Sequence, residues 1–279
     1  MSSPTTRMTD WGVESGAGWG RDDQQKDNLC GPFWGARLLH RAGVTRCDGE
    51  PVDQDLVATR AGTTLPETQG DWVPPGAMAR LDYTRPLIRA RAEEAGTAPG
   101  ALAKAIEEVS GGSLHVIPVT GRFDQEQVER LVAKSRALDL WLIANVRTGM
   151  LWGSRPDPDT VYAELAGEPQ KGPDPDWDVG HFVELQMLLR GPGGSLVVVG
   201  DSYPSLGWQG RHLQPPRAVA LALERGDGRG GGVLVVGPCR AAAATAGLAN
   251  ELGLEVRNWD NGSRTVAGVD DPRNARSRK

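Results

Sequence analysis

Cys30 stands at the point of the chain where a thiol is easiest to activate. The segment from Cys30 leads through Gly31 and Pro32 into a run whose apolar residues repeat at helical spacing, and proline suits the first turn of a helix. The unpaired N–H groups and the dipole at a helix start stabilise a negative sulfur, and the thiolate is the nucleophilic form of cysteine. Cys47 lies in a polar turn, and Cys239 follows Gly-Pro before another predicted helix, so neither has an equally complete setting. We therefore interpret Cys30 as a candidate nucleophile.

His181 and Asp201 are the candidate partners of this thiol. His181 begins an apolar-alternating segment after a long loop, so its ring is expected at the end of a strand, facing a cleft. A three-residue turn at 191–193 would set Asp201 opposite Val183 and diagonal to His181, whereas a slip of one residue would send the two side chains to opposite faces. A carboxylate that fixes the imidazole tautomer, and an imidazole that pairs with a thiolate, together support nucleophilic attack on an acyl carbon.

Each candidate also has an ordinary structural interpretation. A cysteine at a helix start is often a small buried hydrophobic residue, a strand histidine often only satisfies its hydrogen bonds, and an aspartate after glycine often belongs to a turn. Three other histidines compete for the role of base. His40 falls on a different side of the helix from Cys30 and is expected at the surface, whereas His115 or His212 would replace His181 if the hairpin prediction is wrong.

Three short segments and their order carry a resemblance to a known family of enzymes. The segments are QQKDNLCGP at 24–32, GHFV at 180–183 and DSYPSLGW at 201–208. They resemble the nucleophile motif, the base strand and the orienting motif with its following Gly-Trp in the papain-like cysteine peptidase superfamily. The similarity includes the bacterial branch that trims double-glycine leaders and its bacteriocin-peptidase-like relatives, which also use Asp where plant enzymes have Asn. The same order of cysteine, histidine and aspartate also occurs in transglutaminase-like folds and acyl-transferring relatives.

The resemblance implies both a fold and a set of roles. The fold would be papain-like α+β, with the cysteine on an N-terminal helix packed on an antiparallel β-sheet that carries the histidine and the aspartate. His181 would act as base and then as acid, and Asp201 would orient it. A Gln six residues before the cysteine supplies an amide to the family's oxyanion hole; Gln24 has that position, and Gln25 is a near-equal rival. The backbone N–H of Cys30 would be the second donor to the oxyanion.

Five further residues flank these groups and are candidates for the walls of a substrate cleft. They are Gly31, Trp34, Trp177, Tyr203 and Trp208. Aromatic residues in such places more often pack in a core or line a cleft than contact a ligand specifically. The chain contains 37 Gly and 20 Pro, and this excess falls in the long loops before and between the motif blocks, where a cleft would be walled.

Composition excludes several classes of protein. The 279 residues carry a net charge of −5 with both signs interspersed, which gives no electrostatic reason to expect nucleic acid. Three cysteines cannot staple a secreted scaffold, and no apolar run approaches the roughly 18 residues of a membrane span. The N-terminus lacks the apolar core of a signal peptide, and no Cys/His cluster has zinc-ligand spacing. We therefore expect a cytoplasmic protein with no metal or cofactor, acting on a peptide or another amide or acyl substrate, and the oligomeric state stays open.

The patterns along the chain predict one domain. An N-terminal arm is expected at 1–23, a single papain-like α+β domain at 24–260 and a disordered tail at 261–279. Predicted helices span 32–42, 53–61, 99–109, 125–137, 215–224 and 240–252. Predicted strands span 113–119, 138–146, 181–189, 195–199, 232–236 and 254–258, with long loops at 61–78 and 153–180.

Three functional hypotheses follow from these features. The first is hydrolysis of a peptide or amide bond through an acyl-enzyme, which the sequence does not separate from acyl transfer to an amine, as in natural-product biosynthesis. The second is a non-catalytic papain-fold binding protein, favoured if the Cys30 sulfur lies more than about 6 Å from either His181 nitrogen and no loop could close the gap. The third is an unrelated α/β domain with a βαβ-like stretch at 232–258, in which the helix at Pro32 and the hairpin at His181 are not adjacent.

Overall fold

The computed structural model describes residues 24–68, 70 and 72–264. The expected N-terminal arm at 1–23 lies outside the described residues, as does the stretch 265–279 of the expected tail. Within the described residues, seven helices pack with a seven-stranded antiparallel sheet and two small two-stranded sheets, a mixed α+β architecture.

The helices and strands have the following bounds. The helices are α1 (Cys30–Arg41), α2 (Gln54–Arg60), α3 (Pro99–Val109), α4 (Gln125–Ala137), α5 (Pro158–Ala166), α6 (Pro216–Glu224) and α7 (Ala242–Glu251). The strands are β1 (Arg46–Cys47), β2 (Glu50–Pro51), β3 (Thr64–Pro66), β4 (Ile88–Ala90), β5 (Leu114–Thr120), β6 (Trp141–Arg147), β7 (Gly180–Arg190), β8 (Ser195–Gly200), β9 (Arg211–Gln214), β10 (Gly232–Pro238) and β11 (Glu255–Val256).

The large sheet is buried on both faces by helices. Its strand order is β11-β5-β10-β6-β7-β8-β9, and every neighbouring pair is antiparallel. Successive side chains of β10 point to opposite faces of the sheet. Val233 and Val235 belong to the apolar cluster under α4, α6 and α7, whereas Leu234 and Val236 belong to the cluster under α1, α2 and α3.

Helix α1 lies unusually close to its neighbours because two of its positions are glycine. A Cβ atom at Gly31 would lie 3.0 Å from Leu102 of α3 and 3.2 Å from Phe182 of β7. At Gly35 it would lie 3.1 Å from Val57 of α2. Together with the apolar residues at 33, 34, 38 and 39, all of them buried, these glycines seat the start of α1 against the sheet.

Two segments predicted to be loops contain a strand and a helix. The loop expected at 61–78 contains β3, which pairs in parallel with the distant β4 and so has no local partner to reveal it. The loop expected at 153–180 contains α5, which starts at an Asp157 cap and ends at Gly167 with φ +89°. Glu164 is the one buried residue of α5, so the helix lacks an apolar stripe that would have predicted it.

Several ends of elements also differ from the prediction. The strand expected at 254–258 is limited to β11, and α7 begins two residues later than predicted, after a short 3₁₀ turn. The start of the expected disordered tail is bound to the body: the Asn261 side chain donates to the Thr97 carbonyl at 3.0 Å, and the Arg264 N–H donates to the Glu94 carbonyl at 2.7 Å. No helix in the described part of the chain is long and apolar enough to cross a membrane.

Gly35→Leu is expected to lower the free energy of unfolding by about 1–3 kcal/mol, because the added side chain overpacks the space already filled by Val57. Urea unfolding followed by far-UV circular dichroism measures the change. Gly247→Leu is the matched control, since a Cβ at this exposed position of α7 meets nothing within 4 Å and leucine favours a helix over glycine. Equal destabilisation by both variants would contradict the close packing of α1.

Candidate active site

The first turn of α1 is packed directly against the start of β7. The Trp34 indole Nε1 donates to the Phe182 carbonyl at 3.1 Å, next to the close approach of Gly31 to the Phe182 ring. Cys30 is the first residue of α1, and His181 follows the first residue of β7, so both lie beside this contact. The adjacency of helix and hairpin runs against the expectation for an unrelated α/β domain.

Cys30 and His181 shift each other's pKa in opposite directions. Burial alone would raise the pKa of the Cys30 thiol, but the positive His181 ring and hydrogen bonds from His181, Phe182 and Gly31 outweigh it and lower the pKa. Burial lowers the pKa of His181, whereas the Asp201 carboxylate and the Cys30 thiolate raise it to about 10. Both shifts favour the thiolate–imidazolium form of the pair over the neutral form.

The tautomer of His181 follows from the groups around its Nε2 atom. Nε2 lies 3.3 Å from Asp201 Oδ1 and 3.3 Å from Ser202 Oγ. The Ser202 hydroxyl gives its proton to Gln25 Oε1 at 2.6 Å, so it can only accept from the ring, as the carboxylate does. In the neutral imidazole the proton therefore sits on Nε2. This leaves Nδ1 as the basic nitrogen of the ring.

The carboxylate of Asp201 is buried and surrounded by donors. Its Oδ1 also accepts the backbone N–H of Tyr203 at 3.0 Å, and its Oδ2 lies 3.9 Å from Nε2 of His212. Burial raises the pKa of Asp201, but the charge and hydrogen bond of His181, followed by those of His212, hold it well below its usual range. Asp201 therefore stays ionised and keeps His181 oriented toward the thiol.

The hairpin that carries these two residues has a different turn from the predicted one. Arg190 pairs with Ser195, so the turn at 191–194 has four residues rather than three. Continued without interruption, this register would place Asp201 one residue away from its expected position opposite Val183. Asp201 and His181 would then lie on opposite faces of the sheet.

A β-bulge restores the expected arrangement. The register shifts between Leu185 and Met187, so that Glu184 pairs with Gly200. One residue further, Asp201 comes onto the face that carries the His181 ring. The predicted diagonal relation therefore holds, but it depends on an irregularity inside β7.

The two candidate glutamines occupy different places. Gln24 donates its amide to the Met78 carbonyl at 2.7 Å, and in the part of the chain described here no hydrogen bond joins its side chain to Cys30. Gln25 is only 2% exposed. Its Nε2 donates to the Tyr203 hydroxyl at 2.9 Å while its Oε1 holds Ser202. Gln25 thus supports the residues that contact the imidazole.

A segment at 78–84 straps the loop that precedes the nucleophile. The N–H of Asp27 donates to the Arg80 carbonyl at 2.9 Å, and the Arg80 N–H donates back to the Asp27 carboxylate at 3.0 Å. The Tyr83 hydroxyl donates to the Asp27 carbonyl at 2.9 Å, and the Arg80 guanidinium donates to the Gln24 carbonyl at 2.8 Å. This strap orders residues 24–29 ahead of α1.

A buried ion pair completes this anchorage. The Lys26 ammonium pairs with the Asp55 carboxylate of α2 and also donates to the Asp82 carbonyl at 2.8 Å. The second carboxylate oxygen of Asp55 accepts the Thr84 N–H at 3.0 Å, and the Lys26 N–H donates to Gln54 Oε1 at 2.7 Å. Because both charges are almost fully buried, each depends on the other for compensation.

The five residues predicted to wall a cleft divide into two groups. Gly31, Trp34 and Tyr203 are buried, and they pack the site from within rather than lining an open cleft. Trp177 is partly exposed and sets its ring edge-on to His181, with centroids 5.1 Å apart. Trp208 is 75% exposed. These two tryptophans remain as candidates for contact with a substrate.

The competing cysteines lack the same environment. Cys47 pairs with no histidine, and burial together with the adjacent Asp48 carboxylate raises the pKa of its thiol. Cys239 is exposed and donates its thiol to the Gly112 carbonyl at 2.7 Å. All three cysteines are free thiols.

The other histidines considered as the base differ from His181 in where they lie. His40 is exposed as expected and contacts the Val52 carbonyl at 2.6 Å. His115 lies in β5 and pairs with Glu107 at 2.5 Å, away from the pair formed by Cys30 and His181. Sequence reasoning assigned no role to Ser202, although it directly follows Asp201, and considered His212 only as an alternative base. Among residues 24–68, 70 and 72–264, no group of three or more His, Cys, Asp or Glu side chains could hold a metal ion.

A family of unknown function, DUF6885, matches residues 19–260. This match covers most of the chain, including every residue of the site, and the chain therefore belongs to that family. No curated protein and no solved structure matches the chain at a significant level.

Iodoacetamide is expected to alkylate Cys30 at pH 6, where an ordinary thiol with a pKa of about 8.5 is almost fully protonated. Since the thiolate is the reactive form, a lowered pKa moves the rising limb of the rate profile to lower pH, and the paired form persists up to the His181 pKa of about 10. A Cys47→Ser/Cys239→Ser background restricts labelling to Cys30, and mass spectrometry measures the rate.

His181→Ala in the same background should move that limb upward by about two pH units or more, because the half-buried thiolate loses its counter-charge. His115→Ala is the matched control and should leave the profile unchanged. A parent profile that rises only near the pKa of a free thiol would reject the thiolate–imidazolium pair.

Asp55→Ala is expected to lower the free energy of unfolding by about 3–5 kcal/mol, because it leaves the Lys26 ammonium buried without a counter-charge. Chemical denaturation measures this loss, and Lys26→Met in the Asp55→Leu background should recover a large part of it. Arg60→Ala removes the exposed pair with Asp48 and should cost less than about 1 kcal/mol. Similar losses for the buried and exposed pairs would contradict this account.

Proposed function

We propose that the chain is a cysteine-dependent hydrolase of papain-like fold that cleaves a peptide or other amide bond through an acyl-enzyme. One observation carries the proposal: the buried Asp201 carboxylate lies 3.3 Å from His181 Nε2, and the positive charge of the same imidazole lowers the pKa of Cys30, the first residue of a helix. A lowered thiol pKa and a raised imidazole pKa are what a nucleophile and its general acid require.

The reaction proceeds by two acyl transfers. The Cys30 thiolate attacks the carbonyl carbon, and the carbonyl π electrons move to oxygen to give a tetrahedral oxyanion. As this collapses, the bond to the leaving amine breaks and His181 gives its Nδ1 proton to that nitrogen. His181, now neutral, removes a proton from water as the water attacks the thioester. Collapse of the second oxyanion releases the acid and the thiolate, and the proton taken from water stays on the imidazolium.

Asp201 acts on this cycle through His181 and does not touch the substrate. Its carboxylate holds Nε2–H, so Nδ1 stays directed at the sulfur while the ring changes charge. The Trp177 ring edge beside His181 limits access of water to the imidazole.

The oxyanion requires donors that are placed before it forms. The start of α1 offers the Cys30 N–H and the positive end of the helix dipole. Gln24 is the second donor by its resemblance to the family motif, and for that role its amide must exchange the Met78 carbonyl for the substrate oxygen. The strap at 78–84 therefore borders the substrate site.

The papain-like assignment rests on the order and placement of the two sequence blocks. The nucleophile lies on the first helix, and the base and acid lie on an antiparallel hairpin packed against that helix. A thiolate nucleophile also requires a reducing environment, and the three free cysteines agree with a place in the cytoplasm.

Incubation with a library of short peptides, followed by mass spectrometry, tests the activity. The wild type should cleave a subset of peptides and carry a transient acyl adduct on Cys30. Cys30→Ala and His181→Ala should each lower the rate by about 10³-fold or more, and Asp201→Asn should lower it less.

Cys47→Ala is the matched control and should retain full activity. Turnover that survives Cys30→Ala would reject the proposal. Amide products formed when a primary amine is added would instead assign acyl transfer to the same thioester.

A further inference from the structure

His212 is a buried histidine for which the mechanism above has no use. It lies in β9 at the edge of the large sheet, paired with Val199 of β8, and only 6% of its surface is exposed. Its backbone position sets the ring beside Asp201, which follows β8 by one residue. One of its ring nitrogens takes part in a hydrogen bond, and the other faces a carboxylate.

The first partner is Gln214, two residues along β9. Gln214 Oε1 accepts the Trp152 N–H at 2.8 Å, and its Nε2 donates to the Trp152 carbonyl at 2.9 Å. These two backbone contacts fix which end of the amide is the donor. The remaining proton of Nε2 therefore goes to His212 Nδ1, 2.9 Å away, and Nδ1 must accept it.

The second partner is the free oxygen of the site carboxylate. Because Nδ1 of His212 is an acceptor, the ring proton is on Nε2, which faces Asp201 Oδ2 at 3.9 Å. Oδ1 of the same carboxylate is taken by His181 and by the Tyr203 N–H. The two histidines thus approach the two oxygens of one carboxylate from β7 and from β9.

The Gly-Trp turn keeps the second histidine in place. Gly207 has φ +57°, and a Cβ atom there would lie 2.8 Å from the His212 Cβ and 2.1 Å from the Arg211 carbonyl oxygen. Only glycine therefore lets the 203–210 loop lie on β9. The Asp201 N–H donates to the Gly210 carbonyl at 2.6 Å at the other end of the loop, which closes the pocket around the carboxylate.

We propose that His212 is a positioning residue of the site, which holds the Asp201 carboxylate ionised and turned so that Oδ1 faces His181. This role deepens the proposed function, and its catalytic consequence rests on that function. His212 acts through Asp201 alone and touches no reacting atom. Gln214 acts one step further away, by fixing the proton of His212 on the side of the carboxylate.

The experiment compares three variants in the full chain with the Cys47→Ser/Cys239→Ser background. His212→Leu removes the N–H group that faces Oδ2. His212→Gln restores an N–H group there, because a glutamine amide nitrogen reaches the place of the imidazole Nε2. His115→Leu is the matched control, since it removes a histidine that lies on another strand, at the surface.

Two readouts are recorded for each variant. The first is the pH profile of Cys30 alkylation by iodoacetamide. His212→Leu should shift its rising limb upward by about one pH unit, so that the rate at pH 6 falls about tenfold, while His212→Gln and His115→Leu stay within about twofold of the parent. The second is the titration of the Asp201 carboxyl carbon by ¹³C NMR, whose midpoint should rise in His212→Leu and not in His212→Gln.

The outcomes distinguish a failure of the role proposed for His212 from a failure of the proposed function. A His212→Leu protein that keeps the parent Asp201 midpoint would overturn the role of His212, whatever the activity. The same conclusion follows if long-range ¹⁵N spectra find the proton of His212 on Nδ1. A parent protein without alkylation at low pH would reject the thiolate site instead, and the Asp201 midpoint would still decide for or against His212.

Discussion

A carboxylate that is kept from water stays charged only where hydrogen bonds and an opposite charge replace its hydration. Asp201 meets this condition with His181, with the N–H of Tyr203 and with the facing Nε2 of His212. These groups come from β7, from the segment after β8 and from β9. These three neighbouring parts of the sheet must therefore be in register before a buried charge on Asp201 is stable. The charge in turn raises the pKa of the imidazole, and the imidazole lowers the pKa of the thiol.

Helices and strands whose formation depends on residues nearby in the sequence could be predicted. Both α3 and α4 have the predicted bounds, because a proline at the start of one and a capping box between Asp124 and Gln127 at the start of the other act locally. β9 escaped prediction because Leu213 is the one apolar residue among its four, and its buried residues, His212 and Gln214, are polar; the Gln214 side chain bonds to Trp152, which is distant in sequence. The parallel pairing of β3 with β4 has no local signature at all.

The candidate site shows the same division between local and distant causes. Cys30 could be singled out because a helix start is visible in the sequence, and His181 and Asp201 because a hairpin brings them together. The contributions of Ser202 and His212 depend on hydrogen bonds to Gln25 and Gln214, which are set by the packing of loops and by strand order. The position of Gln24 could be matched to a motif, whereas its contact with the strap could not be foreseen.

The hairpin of β7 and β8 contains two irregularities of opposite sense that cancel. The turn is one residue longer than expected, and the bulge takes up one residue within β7, so the parity of the strand is preserved at its functional end. Either irregularity alone would place Asp201 and His181 on opposite faces of the sheet, whereas the two together leave them on the same face. Related chains should therefore gain or lose single residues in this hairpin only in compensating pairs, and an alignment that places one gap there without the other has misaligned the acid.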